Sequence, residues 1–181
     1  MNTHAFFGNT LSGITLLAAL TGCATTRLPP LAVPDALQAP AGQKLVLDAR
    51  ATGVQIYVCS AAKADPAQTE WAFKAPEATL FDAEGNSVAK HYAGPSWESP
   101  DGSKVVGAVK AKLDDPAGKA IAQLLLSAKS VSGTGLFSQV TYIQRLATDA
   151  GNAPADGCTA AELGKEARVP YTARYRFYAA S

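Results

Sequence analysis

The chain has 181 residues, and its sixteen Lys and Arg residues nearly balance its fifteen Asp and Glu residues, giving a net charge of +1. No run of basic residues is present, so the sequence does not predict a nucleic-acid partner. The length is that of one ordinary domain, which is enough to bury a hydrophobic core.

The first predicted element is an N-terminal export signal. An apolar run at residues 14–20 leads into Thr21-Gly22-Cys23, and residues 1–22 carry no Asp, Glu, Lys or Arg. A short apolar segment before small residues is typical of a secretory signal, whereas a membrane-spanning helix needs about 20 apolar residues. The final cysteine resembles the lipobox of bacterial lipoproteins. We therefore predict a signal peptide at 1–22 and a lipid on Cys23 that anchors the protein to a membrane.

This anchor also predicts where the protein resides. Ala24 follows the cysteine, and an aspartate at that position would resemble the inner-membrane retention signal of Gram-negative lipoproteins. The expected location is therefore the cell envelope, on the outer membrane facing the periplasm.

Residues 23–42 are predicted to be a proline-rich linker after the lipidated cysteine. Four prolines fall within this segment, at positions 29, 30, 34 and 40. Proline fixes φ and lacks a backbone donor, which excludes a regular helix or a central strand. Two alternatives stay open: an extended tether that holds the domain off the bilayer, and a coil packed along the domain surface.

Two cysteines remain once Cys23 is assigned to the anchor. Cys59 and Cys158 in an oxidising compartment predict a disulfide, and the alternative is a pair of buried thiols. Neither belongs to a C-x-x-C pair, and His91 is the sole histidine after the predicted signal. The sequence therefore predicts no metal site and no cofactor.

Period-two alternation recurs through residues 43–181 and predicts a mainly β domain. Residues 119–129 fit a helix or a strand, and their neighbours favour a strand, preceded by a helical turn at 116–120. About eight short strands with Gly/Pro turns predict a single-domain antiparallel β-sandwich or barrel. The predicted strand segments are Val54–Cys59, Ala78–Phe81, Val88–Tyr92, Lys104–Leu113, Phe137–Leu146 and Tyr171–Tyr178. A turn at Asp82–Asn86 joins the second segment to the third. In Lys104–Leu113 the residues Val105, Gly107, Val109, Ala111 and Leu113 share one face, and in Tyr171–Tyr178 a row of aromatic residues alternates with a row of basic residues.

The densest group of polar and aromatic residues lies at 91–103 and is predicted to be an ordered loop. It contains His91, Trp97, Glu98 and Asp101, and loops held by a scaffold are where binding groups concentrate. These residues are candidates for binding a small molecule or a glycan. The alternative is architectural: Trp97 fills the core, His91 bonds a backbone carbonyl and Asp101 caps a turn.

Arg145 is the other candidate ligand-binding residue. It lies in a strand-like segment and shares a face with Thr141 and Ile143. If it points inward it needs a carboxylate partner such as Glu98 or Asp101, whereas an outward side chain is a solvated charge. We favour the structural ion pair.

Several ordered motifs resemble the uncharacterised family called DUF3455 across about residues 41–178. The resemblance implies a secreted or envelope domain, and it implies no activity. The motifs are Gly53–Cys59, Trp71, Ala78–Asp82, His91–Glu98, Asp101–Ser103, Thr141–Leu146, Ala153-Pro154 with Cys158, and Val169–Tyr175.

No segment carries a complete catalytic signature, so we assign no catalytic residue. The expected function is a non-enzymatic envelope module that binds a small molecule, a glycan or an envelope partner. The alternative is a hydrolase or metal-dependent enzyme centred on His91, with Ser96 or Ser103 and Asp101 as triad partners, although no G-x-S-x-G motif is present.

Overall fold

The computed structural model describes residues 1–3 and 27–181, so Cys23 and nearly all of the predicted signal peptide lie outside the described residues. Eight antiparallel strands form a closed barrel in which each strand pairs with the next and the last pairs with the first. The mainly β prediction is confirmed. The strands are β1 Gln43–Ala61, β2 Thr69–Phe81, β3 Ser87–Tyr92, β4 Ser96–Glu98, β5 Lys104–Leu113, β6 Gln123–Ser132, β7 Val140–Ala150 and β8 Glu166–Ala180, with short 3-10 helices at Asp35–Leu37 and Ala160–Glu162.

The last strand follows its sequence pattern. Tyr171, Tyr175 and Phe177 on β8 are buried inside the barrel, whereas Arg174 and Arg176 lie on the outer face and both bind Asp48 of β1. This alternation is the period-two geometry of a strand with one buried face, and it confirms the predicted aromatic and basic rows.

The turn between β2 and β3 is also as predicted. The Asp82 carboxylate accepts a hydrogen bond from the Asn86 amide at 2.8 Å, and Gly85 has a φ of +90°. Glycine adopts this left-handed conformation without a steric penalty, which explains its position in the hairpin.

Two details of the β5–β6 region differ from the prediction. Residues 116–120 form turns rather than a helical turn, because the Asp115 carboxylate accepts the amides of Ala117, Lys119 and Ala120. β5 carries a bulge between Val109 and Ala111, so the predicted apolar face is not continuous. A bulge inserts one extra residue and reverses the faces beyond it.

The N-terminal segment packs against the outside of the barrel. Leu37 is fully buried with Leu125 and Leu146, and Leu31 and Val33 pack against this cluster. The Gln144 side chain donates to the Leu37 carbonyl at 2.6 Å. Of the two alternatives for the linker, residues 27–38 therefore adopt the packed coil. Within the part of the chain that is described, no helix has the length and apolar character needed to cross a bilayer.

The barrel end at which β1 begins is closed by the β6–β7 connection. Phe137 of this connection is fully buried, and its ring centroid lies 4.8 Å from that of Phe177. The Leu136 and Phe137 amides donate to Asp101 and Ser103 respectively. The residues after β4 therefore hold this plug in place.

At the opposite end a disulfide joins β1 to the β7–β8 connection. Cys59 and Cys158 are bonded with their Cα atoms 5.3 Å apart, which confirms the predicted pairing. The Tyr57 hydroxyl donates to the Gly151 carbonyl at 2.7 Å, so this connection is tied to the strand at two points.

Candidate functional site

A partly open cavity of about 570 Å³ occupies the end of the barrel opposite the Phe137 plug. Its opening lies among Phe73, Val109, Gly118 and Asn152, which belong to β2, β5 and the connections after β5 and β7. Eight-stranded barrels are just wide enough to be filled by side chains or to hold one small ligand. Here the side chains fill one end and leave the other unfilled.

His91 and Trp97 form one wall of the cavity. They face each other across β3 and β4, and their rings stack with centroids 4.3 Å apart and planes 5° apart. Tyr175 packs edge-on against both rings, at 5.3 Å from His91 and 5.5 Å from Trp97. The exposed fractions of His91 and Trp97 are 3% and 1%, so both residues belong to the core as well as to the cavity wall.

The environment of His91 keeps its imidazole neutral. Nδ1 lies 2.8 Å from the Ser96 carbonyl oxygen, which only accepts, so Nδ1 carries the proton and Nε2 is left as an acceptor. Burial lowers the pKa of His91 to about 3, against the effect of the Ser96 hydrogen bond, and the charge of Arg145 lowers it further. This pKa lies far below neutral pH, whereas general acid–base catalysis is most efficient when the pKa of the catalytic group is near the operating pH.

Arg145 supplies a positive charge to the cavity. On β7 it lies opposite Leu124 of β6 and Tyr175 of β8, and its Nε donates to the Ala122 carbonyl at 3.0 Å. Within residues 27–181 no carboxylate lies within 4.0 Å of it. The predicted ion pair with Glu98 or Asp101 is therefore wrong, because both acids are positioned elsewhere.

The tyrosines around Arg145 stay protonated. Burial raises the pKa of Tyr57 and Tyr175, and the nearby Arg145 charge only partly offsets that rise. At the rim, Asp114 pairs with Lys112 at 2.8 Å, while the Asp115 carboxylate accepts backbone amides, which lower its pKa. Among the described residues that line the cavity, Arg145 is therefore the charged side chain of its deep part.

Two further side chains of the cavity wall have unused donors. Gln55 Nε2 and Trp97 Nε1 are buried and have no hydrogen-bond partner among the described residues. Buried polar groups are nearly always hydrogen-bonded, so each exception calls for an explanation. The sequence prediction missed Gln55, Tyr57 and Tyr175 as cavity residues.

The comparisons with known proteins identify a family. The family model described as "Protein of unknown function (DUF3455)" matches residues 40–179. The chain belongs to the DUF3455 family. No curated protein and no solved structure matches it.

In this DUF3455 domain, Glu98 and Asp101 do not join the cavity residues. β4 has only three residues, and alternation places Trp97 inside and Glu98 outside, where Glu98 accepts a hydrogen bond from the Tyr92 hydroxyl. Asp101 lies at the closed end and accepts from the Ser103 amide, the Ser103 hydroxyl and the Leu136 amide. Of the five predicted binding residues, the structure brings together His91, Trp97 and Arg145.

The same geometry separates the groups of the alternative triad. The Ser103 hydroxyl donates to Asp101 at 2.6 Å and accepts from the Phe137 amide at 3.0 Å, whereas the hydrogen bond of His91 goes to Ser96. Among residues 1–3 and 27–181 there is no group of three His, Cys, Asp or Glu side chains placed to hold a metal ion.

Asp101 of the DUF3455 domain is expected to make stability depend on pH. The hydrogen bonds from Ser103 and Leu136 lower its pKa to about 2. A depressed carboxyl pKa contributes stability that is present above the unfolded value of about 3.9 and is lost as the pH falls through the folded value. We expect Asp101→Asn to be less stable than wild type at pH 7, with the difference shrinking from about pH 4 to pH 2.

Urea unfolding at a series of pH values measures this difference. Asp35→Asn is the control, because Asp35 is exposed, and it should unfold much as the wild type does. A gap between wild type and Asp101→Asn that stays constant down to pH 2 would contradict the assigned role of Asp101.

Proposed function

We propose that this protein is a non-enzymatic binding module of the bacterial cell envelope that holds a small organic molecule inside its barrel. Of the ligands expected from the sequence, a small molecule suits an internal cavity better than a glycan or a protein partner does. The cavity itself carries the proposal. Its volume of about 570 Å³ lies within the range of about 300–1,000 Å³ typical of ligand sites.

The chemistry of the wall supports binding rather than catalysis. Its aromatic and aliphatic side chains surround a few polar groups, a composition that orients a ligand and buries its apolar part. His91, on which the alternative hydrolase depends, is stacked on Trp97 and has a pKa of about 3. No observation on the described residues favours the enzyme over the binding module.

A ligand screen by thermal shift tests the proposal. A compound present at 100 times its dissociation constant adds about 2.7 kcal/mol of stability. Val109→Trp places a bulky side chain at the cavity opening, where Val109 is 55% exposed. Val131→Trp is the matched control, since Val131 is 43% exposed and lies away from the cavity.

We expect a screened compound to stabilise the wild type and Val131→Trp, and to lose most of its effect on Val109→Trp. Compounds that stabilise all three proteins equally bind outside the barrel. A screen that yields only such compounds would overturn the proposed site.

The proposed envelope location rests on a separate part of the chain. Leu20-Thr21-Gly22-Cys23 supports lipidation of Cys23, Ala24 supports the outer membrane, and the Cys59–Cys158 bond suits an oxidising compartment. Mass spectrometry of the mature N-terminus should find Cys23 acylated. A free N-terminus upstream of Cys23 would refute the anchor and leave the ligand proposal untouched.

A further inference from the structure

We infer that the ligand is a monocarboxylate with an apolar body and that Arg145 binds its carboxylate. This inference rests on the proposed function, since it names the class of molecule that the same cavity takes. The starting observation is that Arg145 faces the cavity from β7 without a carboxylate within 4.0 Å among the described residues.

A partly buried guanidinium calls for an anion. Removing a charge from water is costly unless the charge is paired and hydrogen-bonded. Among the described residues, Arg145 Nε donates to the Ala122 carbonyl, and the neutral Tyr175 hydroxyl is a further partner of the guanidinium. The remaining guanidinium donors form a planar fork that matches the two oxygens of a carboxylate.

The groups around Arg145 do not supply the missing negative charge. His91 on β3, Tyr57 on β1 and Tyr175 on β8 are uncharged at neutral pH, for the reasons given above. The rim acids are engaged: Asp114 with Lys112, and Asp115 with the backbone amides of the β5–β6 turn. The deep cavity is therefore electropositive, which favours an anion and disfavours a cation.

The rest of the wall requires an apolar body. Leu124 and Leu126 on β6 and Ile121 before it line the interior, while Phe73 and Val109 line the opening and are 56% and 55% exposed. Burying apolar surface contributes about 25 cal/mol per Å², so a hydrocarbon chain running from Arg145 towards the opening is stabilised along its length.

Three probes of equal chain length separate the contribution of the charge from that of the hydrocarbon. Dodecanoate, 1-dodecanol and dodecyltrimethylammonium would each be titrated by calorimetry into the wild type, Arg145→Met and Arg168→Met. Methionine keeps much of the length of arginine and removes its charge. Arg168 is the matched control, because it lies on the outer surface of β8, where it pairs with Glu77 at 2.8 Å.

We expect the wild type to bind dodecanoate at least tenfold more tightly than dodecanol and to bind the cation weakest. Arg145→Met should weaken dodecanoate binding by about 30-fold or more, since losing one partner of a buried hydrogen-bonded charge pair is costly. Its affinity for dodecanol should change less than threefold, which also shows that the variant is folded. Arg168→Met should bind all three probes as the wild type does.

Equal affinity of the wild type for dodecanoate and dodecanol, or unchanged dodecanoate binding by Arg145→Met, would overturn the carboxylate assignment. The cavity would then remain a binding site for neutral molecules, and the proposed function would stand. Failure of all three probes to bind the wild type would also overturn the inference, whereas the proposed function is judged by the Val109→Trp screen.

Discussion

Replacing Cys59 and Cys158 together by serine should lower the free energy of unfolding by about 4–5 kcal/mol. The bond closes a loop with a sequence separation of 99 residues, and the chain-entropy model relates this loop length to the loss of conformational freedom in the unfolded state. The folded geometry should survive the change, because neighbouring contacts also hold the β7–β8 connection.

Those contacts surround the bond on both sides. The Thr69 hydroxyl donates to the Cys158 carbonyl at 2.7 Å and Trp71 Nε1 donates to the Asp156 carbonyl at 2.8 Å. The Gly164 amide donates to the Cys59 carbonyl at 2.9 Å. The double variant should therefore fold into the same barrel with reduced stability.

Urea unfolding of the wild type and the double variant, each with and without dithiothreitol, measures the contribution of the bond. Reductant should bring the wild type to the stability of the double variant and leave the double variant unchanged. Non-reducing peptide mapping should recover Cys59 and Cys158 in one linked peptide pair. Two alkylatable thiols in oxidised protein would contradict the bond.

The strands of the barrel could be predicted from the sequence because alternation is a local signal. In β8 the aromatic and basic rows are read directly from Tyr171 to Tyr178. In β1 the alternation is as clear, but it does not say which row faces the cavity. The row that contains Gln55 and Tyr57 faces the cavity, because the interior of this barrel holds a cavity with polar groups rather than a continuous apolar core.

Register explains why other features could not be predicted. The bulge between Val109 and Ala111 arises from the pairing of β5 with β6, and the sequence of β5 alone does not predict it. Beyond the bulge, Ala111 packs on the outer cluster with Leu37. The position of the N-terminal segment depends on this outer face. The sequence of the segment alone therefore could not decide between an extended tether and a coil packed on the domain surface.

The same dependence on strand pairing explains why only part of the candidate site could be predicted. His91 and Trp97 lie close in the sequence and meet because β3 and β4 form a tight antiparallel pair. Glu98 is next to Trp97 in the chain, yet one step along a strand places it on the opposite face. Arg145 faces the cavity through its pairing with β6 and β8, which proximity in sequence does not reveal.

Replacing Trp97 by alanine should lower the free energy of unfolding by about 3–5 kcal/mol, the range for deleting a large buried aromatic side chain. The indole is 1% exposed. It stacks on His91 and packs edge-on against Tyr175 and Phe177, with centroids 5.5 and 5.9 Å away. Its loss would extend the existing cavity into the core, and the surrounding strands have little freedom to collapse around it.

Trp71→Ala is the matched control for this change. Trp71 is half-buried and lies on β2, where its indole nitrogen bonds the Asp156 carbonyl. The same chemical deletion there should destabilise the barrel by much less, because a smaller part of the side chain leaves a packed environment. Urea unfolding monitored by circular dichroism compares the two variants without relying on tryptophan fluorescence.

The variant Trp97→Phe then separates the effect of ring packing on stability from the effect of the unpartnered Nε1–H group. Phenylalanine keeps most of the aromatic surface against His91 and removes Nε1, which is buried without a hydrogen-bond partner among the described residues. Because an unpartnered buried N–H costs about 1–3 kcal/mol, this variant should retain far more stability than Trp97→Ala. If Trp97→Ala were no less stable than Trp71→Ala, the indole would not be the core residue described above. It would then act mainly as a contact surface for the ligand.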